Sequence, residues 1–128
     1  MARIDTRAVG LDAERAAEDF LIQQGLSPIT QNFRCRLGEI DLVARDRDCL
    51  VFVEVRSRGT GSFARARVTV DIHKQRKLIR TAALYVTKRP QFADTVMRFD
   101  VVAIDADERG ETTIEWIKDA FRPETSRL

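Results

Sequence analysis

Asp41 and Glu54 are the residues of this chain best placed to do chemistry. Each is a carboxylate inside a run that otherwise belongs in a protein interior, "GEIDLVARD" and "LVFVEVRSR". Read as an antiparallel hairpin turning at "RDRD", the runs pair position i with 95 minus i, whether the loop holds two residues or four. Asp41 then stands opposite Glu54, with β-carbons about 5 Å apart. Two like charges at that separation repel, and a sheet gains nothing by placing them there. Something must compensate. One carboxyl can hold a proton; Arg56, two residues beyond Glu54 on the same face, can offset part of the charge; or a divalent cation such as Mg²⁺, which takes one or two carboxylates with water and phosphate oxygens, can occupy the pair.

The same register predicts the two faces of the hairpin. Ile40 with Val55, Leu42 with Val53 and Ala44 with Val51 form one apolar surface, which is core. The other face passes from Val43 with Phe52, through Asp41 with Glu54, to Glu39 with Arg56, so it is packed at one end and charged at the other. The continuous apolar stretch from Leu50 to Val55, broken only by Glu54, reads as a central strand.

Helices must cover those faces. Over residues 9–25, Ala13, Ala16, Ala17, Phe20 and Leu21 form one helical stripe, with Glu14 at its edge, Glu18 turned further toward solvent and Gly25 where a C-cap belongs. "SPITQNFR" is a short β-prone segment after a breaker. Residues 57–70 carry Arg58, Arg65 and Arg67 among Gly59 and Gly61, the composition of a basic loop. Asp71 caps a second helix reaching about Lys88, with Ile72, Ile79, Ala82, Ala83 and Val86 inward. "TVMRFDVVAID" and "TTIEWIK" are two further strands joined by a turn around Asp107 to Gly110. The order is helix, three strands, helix, two strands.

Composition bounds the rest. With 128 residues and no linker or repeat, the chain reads as a single domain over residues 1–128. Its apolar fraction of 44% and charged fraction of 33% exclude disordered and membrane classes. No apolar run spans a bilayer and no secretory leader opens the chain, so a cytoplasmic location is expected. Cys35, Cys49 and the single His73 form no zinc pattern. The net charge of +2 hides an asymmetry: residues 34–80 hold twelve Lys/Arg against six Asp/Glu, and the remainder ten against fourteen. A polyanionic partner suits the basic half. Arg58, Arg65 and Arg67 fit phosphate contacts without base selection, and Phe63 is the one loop aromatic that could stack on a base. Arg98 and Asp100 share a strand face as an internal ion pair.

The blocks "GEIDLVARD", "LVFVEVRSR", "DIHKQRKLIRTAALYV" and "RFDVVAI" closely resemble the YraN-like family of small bacterial proteins, itself similar to the restriction-endonuclease-like PD-(D/E)XK superfamily and its Holliday-junction resolvases. The resemblance implies an α/β fold with an αβββαβ core, a central mixed sheet flanked by helices. It implies Asp41 and Glu54 as ligands of one Mg²⁺ or Mn²⁺ per site, Glu14 as the helix-borne auxiliary carboxylate, and Lys74 as a helix lysine reaching phosphate. Arg56 stands where that motif has lysine. An arginine can clamp a phosphate but cannot accept a proton, so its role there is electrostatic.

Three functions follow as expectations. The first is a Mg²⁺-dependent endonuclease acting on branched or structured DNA, with RNA as the alternative polymer and no membrane partner; resolvases are usually homodimers, but no long apolar strip in the sequence defines a dimer surface, and the oligomeric state stays open. The second is a catalytically inactive nucleic-acid-binding module of the same fold. The third is a protein-binding domain whose acids form structural ion pairs only.

Overall fold

A computed structural model of the chain describes residues 6–58, 70–106, 109 and 111–123. The elements are α1 (Thr6–Gln23), β1 (Ser27–Cys35), β2 (Gly38–Asp46), β3 (Cys49–Arg58), α2 (Ile72–Thr87), a 3-10 turn at Pro90–Phe92, β4 (Val96–Ala106) and β5 (Thr112–Phe121). The strands form one sheet in the order β1-β2-β3-β4-β5. Only β3 and β4 run parallel, joined through α2; the other pairs are antiparallel. The chain is therefore α/β, with a central mixed sheet between two helices, as expected. Among the described residues no helix is long and apolar enough to cross a membrane.

Both helices begin or end where local chemistry dictates. Gly25, at φ 100°, closes α1: its N–H reaches the Ile22 carbonyl and the Leu26 N–H reaches the Leu21 carbonyl, both at 3.0 Å. That is a Schellman ending, and it folds Leu26 back onto Leu21 in the core. At the start of α2 the Asp71 carboxylate accepts the Lys74 N–H at 2.9 Å.

The sheet separates two apolar cores. On the α1 side, Ala13, Ala17, Leu21 and Leu26 pack on Leu42, Ala44, Val51, Val53, Val102 and Ile104. On the α2 side, Leu78, Ala82 and Tyr85 pack on Val43, Leu50, Phe52, Phe99, Val101 and Phe121. β3 is consequently buried on both faces, which is why its sequence shows an apolar run rather than alternation. The inward stripe of α2 differs from the expected one. Leu78, Thr81, Ala82 and Tyr85 are buried, Ile79, Ala83 and Val86 are half-buried, and Ile72 is exposed. Tyr85 decides this rotation: its ring meets Phe33 and Phe52 edge-on and stacks on Phe92, while its hydroxyl hydrogen-bonds Thr30 Oγ1 at 2.6 Å.

The Arg98–Asp100 pair forms as expected and is part of a larger knot. Asp100 is 1% exposed. Its carboxylate accepts from Arg98 Nε and Nη2, Trp116 Nε1 and the Asp119 N–H, all at 2.9 Å. Arg98 also reaches Asp46 at 3.1 Å, tying β4 to the turn between β2 and β3. To deliver the Asp119 N–H, β5 carries two extra residues between the pairs Val101–Ile117 and Phe99–Phe121, and Asp119 takes a φ of 54°. β1 is irregular as well, with a register shift between Pro28 and Thr30 and Asn32 at φ 51°.

Asp100→Ala should cost about 3–5 kcal/mol, because it strands a half-buried guanidinium and an indole N–H. Urea denaturation monitored by Trp116 fluorescence measures it, and a loss below about 1 kcal/mol contradicts the keystone role.

Candidate functional site

The β2–β3 hairpin pairs in the register read from sequence. Asp46 opposes Cys49 across a two-residue turn in which Arg47 takes φ 57°, and regular pairing runs on to Leu42 opposite Val53. There it stops, one step short of Asp41 and Glu54. Instead of the strands continuing to exchange backbone bonds, Asp41 Oδ2 accepts the Val55 N–H at 2.8 Å. The side chain has taken a place in the ladder, and the strands part beyond it.

This opening corrects the expected faces. Uninterrupted alternation predicts Ile40 beside Leu42, yet Ile40 packs in the α2-side core with Val43. The pleat therefore slips between Ile40 and Val43, and Asp41 does not share a flat face with Glu54. Asp41 lines a cleft of about 290 Å³ beside α1, together with Glu14, Arg15, Glu18, Gln31, Asn32, Leu42 and Val55. Glu54 alternates with Phe52 and points toward α2. The two acids flank the open end of the ladder from its two sides.

Glu54 is 8% exposed, and Lys74 Nζ sits 2.7 Å from its Oε1. Lys74 is thus engaged with a carboxylate in this state, a contact that helical spacing could not reveal because it depends on how α2 docks. Arg56 is half-buried with its Nε lacking a hydrogen-bond partner. The expected cross-strand pairing with Glu39 does not occur, since Glu39 pairs with Arg34 of β1 at 3.1 Å. Arg56 lies near enough to the α2 cap to help hold the exposed Asp71 carboxyl below its usual range, an effect led by the Lys74 N–H hydrogen bond.

On the α1 side, Glu14 is half-buried and its Oε2 has no hydrogen-bond partner. Glu18, expected further toward solvent, is half-buried and held by Gln31 Nε2 at 2.6 and 2.7 Å from its two oxygens. Gln31 and Asn32 of β1 had no distinguishing signal in the sequence; they reach the cleft because β1 is irregular at this end. The Asp41 carboxyl is pushed up to about 7, first by burial, then by the Glu54 charge, with Glu14 and Glu39 adding to it and the Val55 N–H opposing. Glu14 and Asp41 thus share the α1-side cleft with Arg15, while Glu54 adds its charge from the α2 side, where Lys74 offsets it.

Asp41 and Glu54 are the residues that would hold a divalent cation. Among the described residues no three His, Cys, Asp or Glu side chains form a ready-made cage, but Mg²⁺ requires only one or two carboxylates with water and phosphate. The buried Glu14 Oε2 has no hydrogen-bond partner, and burial together with neighbouring carboxylates disfavours the ionised form of Asp41. Arg65, Arg67 and Phe63 lie outside the described residues, as does the side chain of Arg58, whose backbone ends β3.

The raised Asp41 carboxyl has a measurable signature. Between about pH 4 and 7 the folded protein holds a proton that the unfolded chain has released, so this group's contribution to stability is full at low pH and lost as pH rises through about 7. Asp41→Asn, which keeps an acceptor for Val55, should leave Tm near the parent at about pH 4 and raise it progressively above the parent by pH 8. A Tm difference that is the same at both pH values would refute the assignment.

The model of the uncharacterised protein family UPF0102 matches residues 13–104, which contain Glu14, Asp41, Glu54, Arg56 and Lys74. A UPF0102 protein of Alcanivorax borkumensis is 43% identical over 115 residues, 90% of this chain and 92% of the relative. Relatives in Coxiella burnetii (44% over 119 residues, 93% and 96% of the two chains) and Nitrosomonas europaea (46% over 112 residues, 88% and 92%) are similar to the same extent. The chain belongs to the UPF0102 family.

Proposed function

We propose that this protein is a divalent-metal-dependent endonuclease that hydrolyses phosphodiester bonds in branched or structured DNA. The observation that carries the reading is the open end of the β2–β3 ladder, flanked by Asp41 with Glu14 on the α1 side and by Glu54 on the α2 side, where Asp41 is lifted to about 7 and one Glu14 oxygen is unpartnered. Folding alone does not favour such crowding. A bound cation together with a phosphate would relieve it.

In this reading Asp41 and Glu54 hold a Mg²⁺ or Mn²⁺ ion, and Glu14 assists. When bound, the ion supplies Lewis-acid polarisation of the scissile phosphate and makes its water a better nucleophile at neutral pH. The protein's own residues do the remaining work. Asp41 is held by the Val55 N–H, so its orientation is fixed before any ligand arrives. Lys74 neutralises Glu54 in the absence of the ion and is free to turn to a phosphate oxygen once Glu54 is taken. Arg56 buries its Nε–H without a partner, and in this reading the terminal nitrogens of its guanidinium clamp a phosphate rather than accept a proton.

A second reading has its own observation. Arg56 and the close Lys74–Glu54 pair both suit a nucleic-acid-binding module of the same fold without turnover. Cleavage assays on single-stranded, duplex, flap and four-way-junction DNA with Mn²⁺, alongside calorimetric Mn²⁺ titration, separate the two. The nuclease reading expects Mn²⁺ binding that Asp41→Ala and Glu54→Ala abolish, and cleavage that falls by on the order of a hundredfold or more in both. Junction binding without cleavage, unaffected by Glu54→Ala, would replace it with the second reading. A gain of cleavage in Arg56→Lys would show that the arginine suppresses chemistry.

A further inference from the structure

The outer face of α2 carries a charge pattern that folding opposes. Within Ile72–Thr87 there are four Lys/Arg residues and no Asp or Glu. Lys74, Arg76 and Lys77 crowd the first two turns, at the positive end of the helix dipole, where cations are unfavourable. Lys74 with Lys77 and Lys77 with Arg80 are like-charge neighbours three residues apart on the helix, each destabilising to an isolated helix. Lys74 is drawn inward to Glu54. Lys77 and Arg80 are exposed, and neither has a carboxylate partner among the described residues.

Lys77 is also positioned by packing. A β-carbon on Gly38 would lie 3.0 Å from Lys77 Cε and 3.3 Å from its Cγ, so the start of β2 supports the lysine stem three residues before Asp41. The basic ridge and the acidic opening are thereby fixed to one strand. The exposed large apolar residues among those described, Ile22, Ile29, Ile72 and Val96, are all aliphatic, and none offers a flat ring for a base to stack on. From His73 to Arg80 the helix rises about 10 Å, a length over which a duplex presents about six phosphate charges.

We propose that the outer ridge of α2, centred on Lys77 and Arg80, is a docking surface for the backbone of double-stranded nucleic acid, which it holds beside the Asp41–Glu54 opening. The proposal deepens the nuclease reading by assigning the substrate a duplex arm along α2. Its contacts are to phosphates, so it carries no base preference.

The test is fluorescence anisotropy with a short labelled DNA duplex, the corresponding single strand and anionic-lipid vesicles, between about 50 and 200 mM salt, for the parent and for K77E/R80E. Both positions are exposed, and circular dichroism with thermal melting checks that the variant is folded. The expected result is preferential duplex binding that falls at least about tenfold in the variant, with the slope of log affinity against log salt shallower by about two. Unchanged affinity and slope in the folded variant would overturn the proposal, as would equal binding of the single strand, or binding of vesicles but not of duplex. The Mn²⁺-dependent rise in Tm reads the other site separately. Duplex binding lost in K77E/R80E with that rise retained supports the ridge, whereas duplex binding through the ridge with no Mn²⁺ response in the parent sinks the nuclease reading alone.

Discussion

One hydrogen bond decides the shape of the candidate site. By accepting the Val55 N–H, Asp41 ends the β2–β3 ladder from within, and every feature of the opening follows from that ending. The strands separate, the pleat slips so that Ile40 joins the α2-side core, and Asp41 with Glu14 on one side and Glu54 on the other border the gap. A backbone carbonyl in the same place would have satisfied the donor equally well and left a plain sheet. The carboxylate satisfies it with one oxygen and leaves the other available, the condition a binding site requires. Burial and neighbouring charge raise the cost of keeping that group ionised, so the site holds free energy that a ligand can release.

The rest of the sheet is organised to tolerate that cost. β3 is covered on both sides and cannot move to relieve the repulsion around Glu54, so Lys74 is brought in by the docking of α2. The fully satisfied Asp100 supplies the contrast. It is as deeply placed as any core residue, yet four donors surround it and Arg98 neutralises it. One acid is built into the frame; the others are left short of partners where the frame opens.

Much of this was legible in the sequence. The element order, the capping roles of Asp71 and Gly25, the hairpin register and the Arg98–Asp100 pair follow from local rules: turn chemistry, period and strand-face parity. The faces around Asp41 did not follow, because parity counting assumes an unbroken pleat, and a side chain that replaces a backbone acceptor breaks it. The inward stripe of α2 was misplaced for a related reason. Hydropathy favours Ile72 over Tyr85, but Tyr85 can be fully buried once Thr30 takes its hydroxyl, and a hydroxyl partner 55 residues away leaves no local trace. Lys74 and Glu54 were both identified as site residues without any sign that they would meet, which is a property of helix docking alone.

The irregularities in β1 and β5 have an effect beyond the residues they position. These are the two outermost strands, and each is bent out of regular geometry, β1 by its shift at Pro28 and Asn32 and β5 by its two extra residues around Asp119. Neither rim offers an incoming strand a long, straight row of donors and acceptors, and that guards against indefinite stacking of copies side by side. The molecule can thus keep a five-stranded sheet without its rims serving as a template for its own aggregation.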